Sequence, residues 1–450
     1  MIGKKKLFDR LERILTQSGA DQTEIVYVGN ESGLTRYANS YIHQNVAESN
    51  CQILFRSIEG KRVGVASTNS MALADLKKTL ADSLDIARQQ PEKPNFPGLP
   101  KPARYKDLKT FDEKTAKFTP RDRAISVKRV IAEASRKKFT MAGSFATSCG
   151  EIAVVNSLGV RAYQPVTSAS INMIAMSDTS SGYASGTSRN VADIDVTSLA
   201  KVAVDKCDRS QNPREMETGE YEVLLEPAAI AEMLEWINYV GLGSKPFEQN
   251  TSFLSGKIGR KITSDRITIY DNGLDDRSMA FPFDFEGVPK KKVVYIDKGV
   301  AKGVVHDRAS ALKAGTKSTG HALTANENDE GALGFNIFIA PGKTRREKMV
   351  AGIKRGILVT RFHYINGLID TRNSVLTGMT RDGTFLVENG EIVCGLKNLR
   401  FTDSFTRAFK SVQAISKETQ RVESWWSAVG CMTVPAVHLG SFKFSGKTEF

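Results

Sequence analysis

No apolar run in this sequence approaches the roughly 20 residues that a membrane-spanning helix needs; Ile152-Ala153-Val154-Val155 is among the longest. The N-terminus is basic at Lys4-Lys5-Lys6, but Leu7-Phe8-Asp9-Arg10-Leu11-Glu12-Arg13 follows, charged where a secretory leader would be apolar. The chain is therefore expected in the cytoplasm, without a membrane segment. Cysteine is scarce. The 5 residues Cys51, Cys149, Cys207, Cys394 and Cys431 are odd in number and contain no Cys-x-x-Cys pair, which argues against a disulfide framework and a zinc ribbon. Histidine is as rare: no two of His43, His306, His321, His363 and His438 lie within one helical turn, so neither His-Glu-x-x-His nor His-Glu-x-x-x-His occurs. Cys431 and His438 alone make a poor metal pair and read as structural. No Gly-x-Ser-x-Gly elbow exists, because Gly182-Tyr183-Ala184-Ser185-Gly186 places serine one position late. The stretch from Gly440 to Thr448 has one residue too many between its glycines for a phosphate loop and no helix after it, so it reads as a terminal strand. Gly241-Leu242-Gly243 lacks the third glycine of a dinucleotide fingerprint and reads as a loop.

What is present is the composition of a folded protein of two or three domains: 450 residues, 40% hydrophobic and 25% charged. The 63 basic side chains exceed the 50 acidic ones, for a net charge of +13, which could attract nucleic acid or an anionic surface. The basic residues, however, form short clusters (Arg136-Lys137-Lys138, Lys290-Lys291-Lys292, Arg345-Arg346) dispersed among acidic ones and without interleaved aromatics. They read as a solvated surface rather than a nucleic-acid groove.

Periodicity organises the chain. Leu7, Leu11, Ile14 and Leu15 predict a first helix closed by Ser18-Gly19. Short β-prone runs fill 24–68, with a turn at Glu59-Gly60, and a helix over 70–90 carries Leu73, Leu76, Leu80 and Leu84 toward a core. Five of the 14 prolines fall within 91–102, a connector that neither helix nor central strand can absorb. Further helices are predicted over 120–137 and 196–207, a hairpin over 151–170 turning at Asn156-Ser157-Leu158-Gly159, and a Ser/Thr/Gly-rich loop or strand crossing over 177–189. From Gly219 the chain becomes mostly β. Tyr221 to Leu225 is a strand, and Pro227 opens a helix to about Tyr239. Hairpins follow at Asp297-Lys298-Gly299, returning through Val304-Val305, and at Asn389-Gly390. The expected fold class is α+β: an α/β region over 1–218, with the connector inside it, and a β-rich domain over 219–450.

Asp284-Phe285-Glu286-Gly287 offers two carboxylates that would share a face if extended and could serve acid/base or metal chemistry. The plainer reading is a polar turn before Val288-Pro289.

Several segments share an order and spacing that resembles the TldD/PmbA family over nearly the whole chain: Arg36-Tyr37-Ala38-Asn39-Ser40, Gly64-Val65-Ala66-Ser67-Thr68, Asn156-Ser157-Leu158-Gly159, Asp284-Phe285-Glu286-Gly287-Val288-Pro289, Lys317-Ser318-Thr319-Gly320 and Val387-Glu388-Asn389-Gly390-Glu391-Ile392. The resemblance implies a cytosolic dimer related to metallopeptidases that trim unstructured peptides, and family names also mention modulation of DNA gyrase. In its TldD branch, a helix following a Leu-x-Pro stretch bears His-Glu-x-x-x-His, the histidines holding zinc and the glutamate acting on water. Here Leu225-Glu226-Pro227 opens the matching helix, and Glu235 and Val240 stand where the imidazoles would, with Trp236 in place of the glutamate. Cys431 is not cleanly placed as the family's cysteine ligand. The chain thus resembles the PmbA branch, also called TldE. What that implies is a subunit with no cofactor of its own, paired with a TldD-like partner or with a second copy of itself, zinc residing only in a TldD-like partner, and an extended peptide as substrate. Asp284, Glu286, Gly287, Asn389 and Gly390 are motif positions of unassigned role. The alternative is a non-enzymatic binding protein acting on gyrase or nucleic acid.

Overall fold

The computed structural model describes residues 1–327, 330–424 and 430–448 and is α+β. It begins with α1 (Lys4–Leu15), whose Leu7, Phe8, Leu11 and Ile14 form one buried stripe. A meander of β1 (Gln22–Ala38), β2 (Tyr41–Glu59) and β3 (Arg62–Thr68) follows, then α2 (Leu73–Gln89). Where the sequence suggests several short strands, β1 and β2 run unbroken for 17 and 19 residues. Asn39 and Ser40 join them, both left-handed (φ 49° and 62°), as a two-residue hairpin compatible with strand twist requires. Neither is glycine, so the turn lacks its usual sequence mark. On α2, Leu76 and Leu80 are buried as expected, but Leu73 at the first position is exposed.

The 91–102 connector holds no helix or strand. After it comes a single turn, α3 (Glu113–Ala116), and then the opening order repeats as α4 (Pro120–Ser135), β4 (Thr140–Asn156), β5 (Arg161–Met176), β6 (Ser181–Ser188) and α5 (Val196–Arg209). Pro120 and a Thr119/Asp122 capping box start α4. The six strands form one antiparallel sheet, β3-β2-β1-β4-β5-β6, so the first strands of the two units meet at its midline, where Glu31 lies opposite Cys149. The 177–189 stretch is not a loop but contains the edge strand β6. Its small residues are a packing requirement: a Cβ on Gly182 would lie 2.2 Å from the Ala203 carbonyl oxygen of α5. Gly64 plays the same part at the opposite edge, beneath Ser83 and Ala87 of α2.

Both helical layers cover the same face of this sheet, α1 and α2 over one half and α4 and α5 over the other. The opposite face, through Val26, Leu54, Ile152 and Val154, packs on Phe281, Phe283 and Phe335 of the C-terminal half.

That half is built on an 11-stranded mixed sheet. Its strands are β7 (Gly219–Leu225), β8 (Ile269–Asp271), β9 (Val293–Asp297), β10 (Val300–Ala301), β11 (Asn336–Ile339), β12 (Arg355–Asp370), β13 (Val375–Glu388), β14 (Glu391–Gly395), β15 (Leu399–Ser404), β16 (Val412–Glu423) and β17 (Cys431–Lys447). Because β17 pairs with both β15 and β7, the path β17-β15-β13-β12-β7 closes on itself. The helix α6 (Pro227–Ile237) packs against β12 and β17. The Asn389-Gly390 hairpin forms as expected, Val387 opposite Ile392. The other hairpin returns sooner, through Val300–Ala301 rather than Val304-Val305. Gly241-Leu242 is not a loop: it belongs to a π-helical turn, Asn238–Leu242, that continues α6.

Candidate functional site

The end of β16, helix α6 and strands β5 and β6 enclose a cavity of about 270 Å³ where the two sheets meet. Glu232 and Glu235, three apart on α6 and so on one helical face, both line it; Tyr183 reaches it from β6, and Arg421 and Glu423 from β16. Of the three positions that the resemblance sets at the metal motif, Glu235, Trp236 and Val240, only Glu235 is brought here. Trp236 packs beside Gly367 and Tyr239, and Val240 is buried in the π turn. Positions five apart on a regular α-helix diverge by roughly 140°. The π turn narrows that divergence but leaves Val240 in the core rather than at the cavity.

Arg361 of β12 ties the cavity wall together. Its Nη2 lies 2.6 Å from Asp382 Oδ2, its Nη1 lies 3.7 Å from Glu232 Oε1, and its guanidinium sits 4.7 Å from the centre of the Tyr183 ring. Ser181 Oγ donates to the other Asp382 oxygen at 2.7 Å, linking β6 to β13. Since Asp382 takes the close approach, Arg361 offers Glu232 only a distant share of its charge. Burial outweighs it, and the Glu232 carboxyl is pushed up to about 8. Burial raises Glu423 as well, against a hydrogen bond from Ser170. The cavity thus holds a carboxyl that keeps its proton at neutral pH beside a permanent cation. Sequence reading passed over Glu232, Arg361 and Asp382. The available signal was a charge inside the otherwise apolar run from Pro227 to Ile237.

These residues do not fit zinc. No histidine lines the cavity: His321 is fully buried against Asp271 at 2.9 Å, and His438 Nε2 lies 2.7 Å from Glu222. Cys431 contacts Ser278 Oγ at 3.2 Å, and burial pushes its thiol up, away from the thiolate a metal takes. The donors at hand are carboxylates interleaved with guanidiniums, with none of the imidazole or thiolate ligands that accompany carboxylates in zinc sites. Among the described residues, no group of three or more His, Cys, Asp or Glu is arranged to hold a metal ion.

The Asp284–Gly287 carboxylates do not share a face, because the segment is a turn. Asp284 Oδ1 accepts the Glu286 and Val288 amides at 3.0 and 2.8 Å, and Oδ2 accepts the Ala322 amide at 3.0 Å. Glu286 points instead to Arg56, 3.1 Å away, which also holds Glu24 at 2.9 Å. Gly287 (φ 75°) accepts the Tyr105 hydroxyl on its carbonyl at 2.7 Å. This motif fastens the first sheet to the C-terminal half. Asn389 and Gly390 form the β13–β14 turn, away from the cavity.

Residues 218–446 match the PmbA/TldA metallopeptidase C-terminal domain, 107–210 its central domain and 23–87 its domain 1. This chain belongs to the PmbA/TldD metallopeptidase family. Domain 1 and the central domain fall on the two repeated helix-and-strand units. Among solved PmbA/TldD-type structures, TldE from Thermococcus kodakarensis superposes with a TM-score of 0.89 at 23% identity, covering 97% of this chain and 100% of that one. A putative modulator of a DNA gyrase from Thermotoga maritima gives 0.87 at 16% identity, covering 98% and 100%. At such identities the likeness speaks for the fold. An uncharacterized protein of Methanocaldococcus jannaschii, MJ0231, is 24% identical over 374 residues, 81% of this chain and 84% of that protein. A metalloprotease TldD homolog of Buchnera aphidicola is 24% identical over 177 residues, 38% of this chain and only 36% of its own length. Among the described residues no helix is long and apolar enough to cross a membrane.

Proposed function

We propose that this chain is the metal-free, PmbA/TldE-like subunit of a cytoplasmic TldD/TldE-type peptidase complex that acts on unstructured peptides, with residues 1–218 and 219–450 as its two domains. The observation that carries this reading is the cavity beside α6. Helix α6 and the π turn after Ile237 present Glu232 and Glu235 to it beside Arg421, and no histidine among the described residues lines it, which supports a subunit that holds no zinc of its own. Zinc and the attacking water then belong to a TldD-like partner. This chain supplies a shaped wall, with a proton held on Glu232 and a cation on Arg421 for a peptide's carbonyl or carboxylate groups.

The test is cleavage of an unstructured peptide by the purified chain, by a zinc-bearing TldD-like partner and by the two together. Cleavage that requires both, and exceeds the partner's own, supports the reading. Zinc-dependent cleavage by this chain alone overturns it. The competing reading, a binding protein for gyrase or nucleic acid, draws on the net charge of +13 and would show as DNA binding that weakens steeply with salt.

A further inference from the structure

The helical cover of the first sheet is divided. Helices α1 and α2 occupy one half and α4 and α5 the other, leaving the midline of the same face open. There lies a cavity of about 450 Å³, separate from the one at α6, whose wall includes the Arg123 side chain from the first turn of α4.

Arg123 is 2% exposed, yet no carboxylate among the described residues lies within ion-pair distance of it. Its Nε donates to Thr35 Oγ1 at 3.1 Å, and its Nη1 to the Phe118 carbonyl at 3.2 Å and to Thr147 Oγ1 at 2.9 Å. All three acceptors are neutral. Both Nη2 hydrogens are left over, on a group that borders the cavity. Among the described residues, the one carboxylate close enough to influence it, Asp122, is engaged by Thr119 in the capping box. Room for the guanidinium is built into β1: a Cβ on Gly33 would stand 2.5 Å from Nη2, and the φ of Gly33 is not in the left-handed range that would otherwise call for glycine. Nη2 is open to the cavity rather than sealed in the core, so a ligand entering there meets a largely desolvated cation with both hydrogens free to donate.

We propose that this cavity binds a carboxylate group, seated on Arg123 Nη2. A single guanidinium, with Glu31 and Glu48 also bordering the cavity, suits a monoanion and disfavours a phosphate dianion. Two sources share that chemistry, a small organic acid and the C-terminus of a short peptide. The site is independent of the peptidase reading, since none of its residues borders the α6 cavity.

The experiment is calorimetric titration of the full chain, at constant ionic strength, with acetate, N-acetyl-dialanine, the C-terminal amide of that peptide and inorganic phosphate. Saturable binding of a carboxylate but not of the amide is expected. Acetate binding as tightly as the peptide acid identifies a small-acid site, and a marked preference for the peptide acid identifies a C-terminus site. Arg123→Met should weaken binding at least about tenfold, the loss expected for a hydrogen bond to a charged group. Because that variant also breaks three internal bonds, Ser49→Glu serves beside it. Ser49 is exposed at the cavity and makes none of the Arg123 bonds, so the new carboxylate repels the ligand while those bonds stay in place, and a melting curve of the variant measures the cost of placing it opposite Glu31. Equal binding of acid and amide, no saturable carboxylate binding at millimolar concentration, tighter binding of phosphate, or undiminished binding by Ser49→Glu would each overturn the proposal.

Discussion

Replacing Glu232 by Gln tests whether burial, rather than the nearby arginine, governs the α6 cavity. The folded carboxyl titrates at about 8 against 4.5 when unperturbed. A carboxyl raised in the fold is best tolerated protonated. Its contribution to stability is therefore fully present below about pH 4.5 and is lost as the pH climbs through about 8. The span from 4.5 to about 8, at about 1.36 kcal/mol for each step of one in pH, sets a ceiling of about 5 kcal/mol on that loss. Glutamine keeps the shape and never ionises. Urea unfolding of the wild type and Glu232→Gln should therefore give a stability gap that widens in favour of the variant from about pH 5 to about pH 9. A companion, Asp382→Asn, frees Arg361 to approach Glu232, and the wild-type decline should then move to lower pH. Parallel pH profiles for wild type and Glu232→Gln would refute the reasoning, because they would mean that Glu232 is ionised in the fold at no cost.

Three further outcomes follow from the packing between the halves and within the first sheet. Arg56→Met strands Glu24 and Glu286, both nearly buried, and should cost about 3–5 kcal/mol in urea unfolding at neutral pH, with recovery on adding Glu24→Gln and Glu286→Gln. Gly287→Ala should lower stability by about 1–3 kcal/mol from its positive φ alone, and more because the new Cβ meets Val160 at 2.7 Å, read as a drop in melting temperature. Gly182→Val should destabilise by about 1–3 kcal/mol through separation of α5 from β6, with raised hydrogen exchange confined at first to those two elements.

Local pattern was a sound guide wherever one element buries one regular stripe. The helices α1, α4 and α5 stand where their apolar spacing and caps indicate, and the Asn389-Gly390 turn carries the residues its positive φ angles ask for. Pattern failed where a neighbour dictated residue size. Strand β6 hides behind glycine, alanine and serine because α5 lies on its backbone, and the long β1–β2 hairpin hides behind a turn, Asn39-Ser40, that spends no glycine. The Asp284–Gly287 motif was recognisable as a turn, but its partners Arg56 and Tyr105 come from more than a hundred residues away, so its fastening role was not.

Taken by itself, the sequence determines the α+β class, the order of most elements and the proline-rich connector, since each depends only on residue type and local period. Tertiary structure alone decides that two similar units share one sheet, that Glu235 joins Glu232 at a cavity while Val240 does not, and that Arg361 is spent mainly on Asp382. It also decides that Arg123 is buried without a counter-charge. The physical reason is the same throughout. Burial and charge neutralisation are properties of what surrounds a side chain, and those surroundings are assembled from strands and helices far apart in the chain.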